Sequence, residues 1–243
     1  MIDAVYRQTE AVGAAIRSFL REPTTIVLLF VLPPTVIVGF DLALEAFVGV
    51  PGLDAPPEAG GLGGALFATA FLAGLLGVFQ IAGAAGPDRR LIVCGFHRWE
   101  VIVARILTIV LVGGVVAVVA FVTFWLLVDI APASSGRAIV ALLVAAVIYG
   151  LLGVIVGGVI NRELEGSLVL VFLADLDSFL AIGVLPVDTW IDDYMPLARP
   201  YALFETAIYD GTLPTGDAIE ATLYAVVLFV VALVIVRMRG GSS

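Results

Sequence analysis

The sequence has no lysine, one histidine and one cysteine among its 243 residues, and these shortages exclude several kinds of chemistry. A chain without lysine cannot contain the phosphate-binding loop G-x-x-x-x-G-K-[ST], so it cannot hydrolyse ATP by that route. A single cysteine, Cys94, excludes a disulfide within the chain, and together with the single histidine, His97, it cannot supply a four-ligand zinc site. We therefore predict that the chain alone has no catalytic residues, no metal site and no cofactor.

Charged residues are also scarce, at 14%, whereas 61% of the residues are hydrophobic and the mean hydropathy is +1.14. The apolar residues are gathered into blocks of about 20, the length that an α-helix needs to cross a bilayer. We predict that residues 1–243 form a single all-α integral membrane domain. An N-terminal amphipathic interfacial helix, residues 1–22, is expected to precede six transmembrane helices. Their predicted bounds are about 24–40, 64–86, 101–128, 137–160, 167–186 and 217–236.

Arginine supplies every basic residue, and its distribution predicts the topology. Arg137 and Arg199 lie in segments that are rich in Asp and Glu. The other ten lie in the segments that alternate with these: Arg7, Arg17, Arg21, Arg89, Arg90, Arg98, Arg105, Arg162, Arg237 and Arg239. Basic residues close to the ends of membrane spans remain on the cytoplasmic side. We therefore predict a multi-pass protein of the cell membrane with both termini in the cytoplasm.

The fifth predicted span is unusual because Asp175 and Asp177 lie near its centre. If this segment did not cross, the C-terminal arginines would lie on the wrong side of the membrane, so the topology favours a crossing. Residues that are two positions apart in an α-helix are separated by about 200° around the helix axis. The two carboxylates should therefore point in opposite directions, and they cannot form the dyad of an intramembrane aspartyl protease. Either one lines a translocation path for a polar or cationic substrate, or one bonds to a neighbouring helix, or the helix ends early.

A second segment of interest lies between spans 2 and 3. It holds Asp88, Arg89 and Arg90 before a short apolar stretch, and Phe96, His97 and Arg98 after it. Asp88 can cap a short helix and Gly95 can end it. The alternative is a simple loop that arginines anchor at the membrane surface.

Three features of the chain resemble the permease subunit of ABC-2 type ABC transporters. The first is the amphipathic segment that leads directly into span 1. The second consists of Asp88-Arg89-Arg90-Leu91, Arg98-Trp99-Glu100-Val101 and Arg105. The third, which is similar to an extracellular re-entrant segment before the last span, consists of Leu185-Pro186, Trp190-Ile191, Met195-Pro196-Leu197 and residues 199–205. Asp175 and Asp177 depart from the family pattern, in which span 5 is more uniformly apolar.

The resemblance implies an ABC-2 exporter-like fold and a set of partners. A coupling helix between spans 2 and 3 would dock into a groove on a separate ATP-binding cassette ATPase subunit, with contacts from Asp88, Arg89, Arg90, Phe96, His97 and Arg98. A second permease copy or paralogue would complete a dimer surrounded by membrane lipids, and residues 187–216 would form an outer gate. The alternative function is a non-transport multi-pass scaffold or sensor subunit.

We predict no nucleic-acid partner, because the net charge is −9 and the arginines form no large basic surface. An acidic, lysine-free composition is similar to that of proteins from salt-loving archaea, in which dense carboxylates keep the surface hydrated.

Overall fold

A computed structural model of the chain describes residue 13 and residues 23–47, 59–82, 98–160, 162–184 and 194–239. These ranges contain seven α-helices and no strand, as the all-α prediction requires. The helices are α1 (Pro23–Phe47), α2 (Ala59–Ala82), α3 (Arg98–Leu127), α4 (Ser135–Val159), α5 (Glu163–Ala181), α6 (Ala198–Tyr209) and α7 (Thr215–Arg239). The interfacial helix predicted over residues 1–22 lies outside the described residues, apart from Gly13, which is helical.

Five of these helices are long and apolar enough to cross a membrane, which indicates a membrane-embedded protein. The qualifying segments are Val27–Ala46, Ala59–Ile81, Arg105–Leu127, Ser135–Val159 and Thr215–Met238, in α1 to α4 and α7. The predicted fifth span corresponds to α5, which is not among the five. Its 19 residues include four acids, namely Glu163, Glu165, Asp175 and Asp177.

The first two helices differ in their bounds from the sequence prediction. A loop is predicted from residue 41, but α1 continues to Phe47 and includes the exposed side chains of Asp41 and Glu45. α2 correspondingly begins at Ala59. The cause is close packing of the two helices, because a Cβ atom added at Gly60 would lie 2.7 Å from the Cα atom of Asp41.

The centre of the bundle is the contact between α2 and α4, which run parallel to each other. A Cβ atom added at Gly77 would overlap the carbonyl oxygen of Gly150, and one added at Gly153 would overlap the carbonyl oxygen of Gly74. Small residues at a helix contact let two backbones approach closely, which increases dispersion contacts where no water is present to drive association. We call these four residues, Gly74, Gly77, Gly150 and Gly153, the glycine seam. The close contact places α2 in the interior, with α1, α3 and α5 around it.

The long helices alternate in direction, so charged residues collect at two ends of the bundle. α5 is antiparallel to α2, because Leu170 lies against Gly74 and Ile182 lies against Gly63. The arginine end is defined by Arg98, Arg105, Arg162, Arg237 and Arg239, and the acidic end by Asp41, Glu45, Asp129, Asp210 and Asp217. α1 begins and α7 finishes at the arginine end, so the charge segregation that the sequence predicts is present in the fold.

The outer surfaces of α1, α3 and α7 are apolar. Their exposed side chains include Val27, Phe30, Val31, Leu111, Val115, Trp125, Leu126, Leu223, Val227 and Val230. Because nearly all backbone groups inside these helices are paired within the helix, such surfaces can contact hydrocarbon; the exceptions are the carbonyl groups one turn before Pro33 and Pro34 in α1, which proline leaves without a donor.

Candidate functional site

α6 runs from a position inside the bundle, at Leu197, outwards to the acidic end. At its outer end, the Ala133 amide donates to the carbonyl oxygen of Ile208 (2.8 Å), and the Ser134 amide donates to that of Ala207 (3.2 Å). Both donors lie in the turn between α3 and α4. Twelve residues of helix extend about 18 Å, roughly half the thickness of a bilayer core. α6 is therefore too short to cross a bilayer, and it lies within the segment for which the resemblance implies a re-entrant element. Re-entry itself stays a prediction, because residues 185–193 lie outside the described residues.

The apolar side chains of α6 are fully packed. Leu197, Phe204 and Ala207 are completely buried, and the Phe204 ring makes an edge contact with the ring of Phe124 on α3, with 5.4 Å between centroids. α6 lies mainly against α4 and α7. Its position is thus defined along its length by burial of an apolar face.

Asp177 connects the inner end of α6 to α4 and α5. Its side chain on α5 is completely buried. The Tyr149 hydroxyl donates a hydrogen bond to Asp177 Oδ2 at 2.5 Å. The Leu197 amide is shared between Oδ2 at 3.1 Å and Oδ1 at 3.3 Å. One carboxylate therefore joins the middle of α4, the last turns of α5 and the residue that precedes α6.

This arrangement has a clear electrostatic cause. The first amides of a helix have no partner within the helix, and the helix dipole gives that end a partial positive charge. Leu197 is the N-cap residue of α6 and has no polar side chain with which to cap it. Asp177 supplies the missing acceptor from another helix, while the donors offset part of the cost of burying a carboxylate. The geometry corresponds to one of the sequence alternatives, a hydrogen bond to a neighbouring helix.

Asp175 lies on the opposite side of α5, as the spacing of the two aspartates predicts. Its side chain is exposed and neighbours the exposed Phe172 and Leu176. Within the described ranges it has no hydrogen bond or ion pair. Over the same ranges, no group of three His, Cys, Asp or Glu side chains is placed to hold a metal ion. Asp175 and Asp177 therefore form no catalytic pair, and a path role for either one stays a prediction.

Arg199, in the first turn of α6, and Arg137, in the first turn of α4, bond to the acidic end of α7 and to the turn before it. Arg199 Nε lies 2.7 Å from Glu220 Oε2, and Arg199 Nη1 lies 3.2 Å from Asp217 Oδ1. Arg137 donates through Nη1 to the carbonyl oxygen of Gly211. Gly211 has φ +61°, a conformation that glycine adopts without strain, and it forms the turn between the two helices. Both arginines thus stabilise the fold locally.

At the arginine end, Arg105 joins α3 to the last turn of α2. It donates through Nη1 to the carbonyl oxygen of Gln80 and lies 3.3 Å from Gln80 Oε1. Carbonyl groups in the last turn of a helix have no partner within it, so this arginine caps α2 from the neighbouring helix. The predicted coupling segment follows α2 and includes Arg98, the first residue of α3, so Arg105 connects the two helices that flank it.

The predicted ATPase-coupling residues are largely beyond what the structure describes. Arg98 is the first residue of α3. The others, Asp88, Arg89, Arg90, Phe96 and His97, lie outside the described residues. Contact of this loop with an ATPase stays a prediction.

Two residues of the Asp177 site are absent from the sequence-based candidates. Tyr149 carries the only polar side chain between residues 138 and 160, and an isolated hydroxyl in an apolar span is a signal that could have found it. Leu197 contributes a backbone amide, which no sequence pattern distinguishes.

No protein-family model matches the chain, and no curated protein matches it.

Proposed function

We propose that the chain is the membrane-spanning permease subunit of an ABC-2 type ATP-binding cassette transporter, and that it exports a substrate with ATP hydrolysed by a separate subunit. The observation that carries this proposal is the short buried helix α6, which precedes the last long helix and begins beside the buried Asp177. The resemblance implies an element of this kind at this place in the chain. A buried helix that extends to one end of the bundle can close that end of a translocation path.

In this proposal α5 crosses the membrane as a sixth span. A helix of 19 residues extends about 28 Å, close to the thickness of the hydrocarbon core. α5 also runs from the arginine end towards the acidic end, and Asp177 is satisfied within the bundle. The arginine end would lie in the cytoplasm with both termini, and the acidic end would face the exterior of the cell.

The arginine end would receive the mechanical work. Arg89, Arg90, Phe96, His97 and Arg98 would contact the ATPase through a short helix that docks into a groove. Arg105 supports this assignment because it connects α2 to α3. A displacement of the loop would therefore move α2 and α3 as a pair.

The translocation path would lie between two copies of the chain. The interior of one copy is filled by side chains, with Leu66, Leu142 and Tyr149 fully buried at its centre. An ionised aspartate facing lipid costs roughly 2.5–3.5 kcal/mol on insertion scales. Asp175 is exposed in a single copy, so the position supports its assignment to a path or an interface that lipid does not reach.

Affinity purification of the tagged chain from mild detergent tests the proposal. We expect an ATPase subunit to be recovered with the intact chain. Charge reversal by Arg89→Glu and Arg90→Glu should reduce that recovery about tenfold, because paired charges at a docking interface are lost. The matched control is Arg237→Glu with Arg239→Glu, which makes the same charge change at the same end.

An equal loss of ATPase recovery in both double variants would contradict a specific role for Arg89 and Arg90 in binding the ATPase. Recovery of intact chain without any ATPase would contradict the permease proposal and favour the scaffold or sensor alternative.

A further inference from the structure

The two ends of α6 are attached by different kinds of bond. The outer end is held by two backbone hydrogen bonds from the turn between α3 and α4, and by the Arg137 contact with the following Gly211. The inner end is held by side chains on both sides. Asp177 of α5 accepts the Leu197 amide, and Arg199 reaches Asp217 and Glu220 of α7. The inner end therefore lies between α5 and α7.

The hydrogen bonds of Asp177 are unequal. The bond from Tyr149 is short, at 2.5 Å, and joins α5 to α4. The Leu197 amide is divided between two oxygens at 3.1 and 3.3 Å, near the long limit for such bonds. Oδ2 accepts from both donors, as a carboxylate oxygen with two lone pairs can, so the two bonds differ in length and not in the availability of an acceptor. The connection to α6 is the weaker one and would break before α4 and α5 separate.

We propose that Asp177 is a positioning residue that acts as a releasable latch for the inner end of α6. When the Leu197 amide leaves the carboxylate, α6 moves away from α5 about its fixed outer attachment, and the gap between α5 and α6 opens towards the acidic end. The long Arg199 side chain maintains contact with α7 during this movement. The latch depends on contacts of α4, α5, α6 and α7 alone, so it holds whether or not an ATPase partner is recovered.

Thiol labelling of the purified full-length chain tests this latch. In a Cys94→Ser background, Leu197→Cys provides a single thiol at the inner end of α6, where the native side chain is completely buried. A membrane-impermeant maleimide should react slowly with it. Asp177→Leu should accelerate the reaction at least about tenfold, because it removes a hydrogen bond to a charged acceptor. Asp177→Asn keeps one acceptor oxygen for the amide and should restore most of the protection.

Three matched measurements separate the latch from general loosening. Asp175→Leu makes the same change two residues away, on a side chain without a bond to α6, and should leave labelling unchanged. Ile208→Cys, at the outer end where the native residue is 1% exposed, should stay protected in the Asp177→Leu chain. Leu170→Ala opens the core beside Gly74 and lowers stability without touching the latch, so it should not accelerate labelling of Leu197→Cys.

Continued protection of Leu197→Cys in the Asp177→Leu chain would overturn the proposal. Equal exposure of Ile208→Cys would also overturn it, since the whole of α6 would then have left the bundle. If Leu170→Ala accelerated labelling of Leu197→Cys to a similar extent, the effect of Asp177→Leu would be explained by a general loss of stability, and the latch would be contradicted.

Discussion

At the scale of single residues, Asp175 and Asp177 lie two positions apart on α5 but in different surroundings, since Asp177 is completely buried and Asp175 is exposed. The spacing of Asp175 and Asp177 places them on opposite sides of a helix, and the structure confirms this. The spacing does not reveal which aspartate is buried, because that depends on which side of α5 meets the bundle. The Leu197 amide, 20 positions away, is also invisible to sequence patterns, since every residue except proline carries such a donor.

The carboxyl group of Glu205 on α6 makes the stability of the fold depend on pH. Burial within α6 raises the pKa of its carboxyl above the ordinary value of 4.5, and the negative charge of Asp210 adds to the rise. The folded chain therefore binds this proton more readily than the unfolded chain does. The stability that results is fully present below the ordinary pKa and is lost as the pH rises through the folded-state pKa.

We predict that Glu205→Gln removes this loss. The melting temperature of the variant minus that of the parent should increase as the pH is raised from about 4 towards neutrality. Thermal unfolding of the detergent-solubilised chain across this range measures the difference. Asp210→Asn should weaken the pH dependence only in part, because burial is the larger cause. A difference that does not change with pH would contradict the assignment to Glu205.

At the scale of helices, long apolar runs suffice to predict α1 to α4 and α7. The predicted bounds fail where packing continues a helix past charged residues, as at Asp41 and Glu45 in α1. α5 is harder to classify because its acids lower its apolar character. The sequence of α6 contains no apolar run long enough to predict a membrane helix, since 12 residues with several polar positions resemble a surface helix. Only the resemblance singles it out, because its burial depends on neighbours that are distant in sequence.

The glycine seam between α2 and α4 makes a prediction about helix packing. Gly153→Ala should destabilise the fold by about 1–3 kcal/mol, because the new Cβ atom would overlap the carbonyl oxygen of Gly74 and force the helices apart. Gly136→Ala, on the same helix, is the matched control, since nothing lies within 4 Å of its added Cβ atom. Unfolding measured for both variants in one detergent should separate them, and equal stability would show that the seam tolerates a wider spacing.

At the scale of the whole molecule, charge is the organising property. The arginine distribution predicts two sides, and the alternating helices collect the charges at two ends of the bundle. This much follows from the sequence, because each apolar run reverses the direction of the chain. The contacts at each end do not follow in the same way. Arg137 and Arg199 interrupt the acidic segments, and only the fold reveals that Arg199 bonds to α7 and Arg137 to the turn before it.

Thiol labelling of intact cells tests the orientation. In the Cys94→Ser background, Asp210→Cys at the acidic end should react with an impermeant maleimide added outside. Glu163→Cys at the arginine end should react only after the membrane is permeabilised, because arginine-rich segments remain in the cytoplasm. Both native side chains are exposed, so access to the thiol depends on the side of the membrane. The reverse pattern would invert the topology.

The bond between Asp177 and the Leu197 amide also constrains the order in which the protein assembles. The acceptor lies on α5 and its second donor on α4, so the interior position for α6 exists only after these two earlier helices have met. A growing chain would therefore insert its long helices first and draw α6 inwards late, as a separate step of maturation. Until that step, the acidic half of a newly made molecule would remain open.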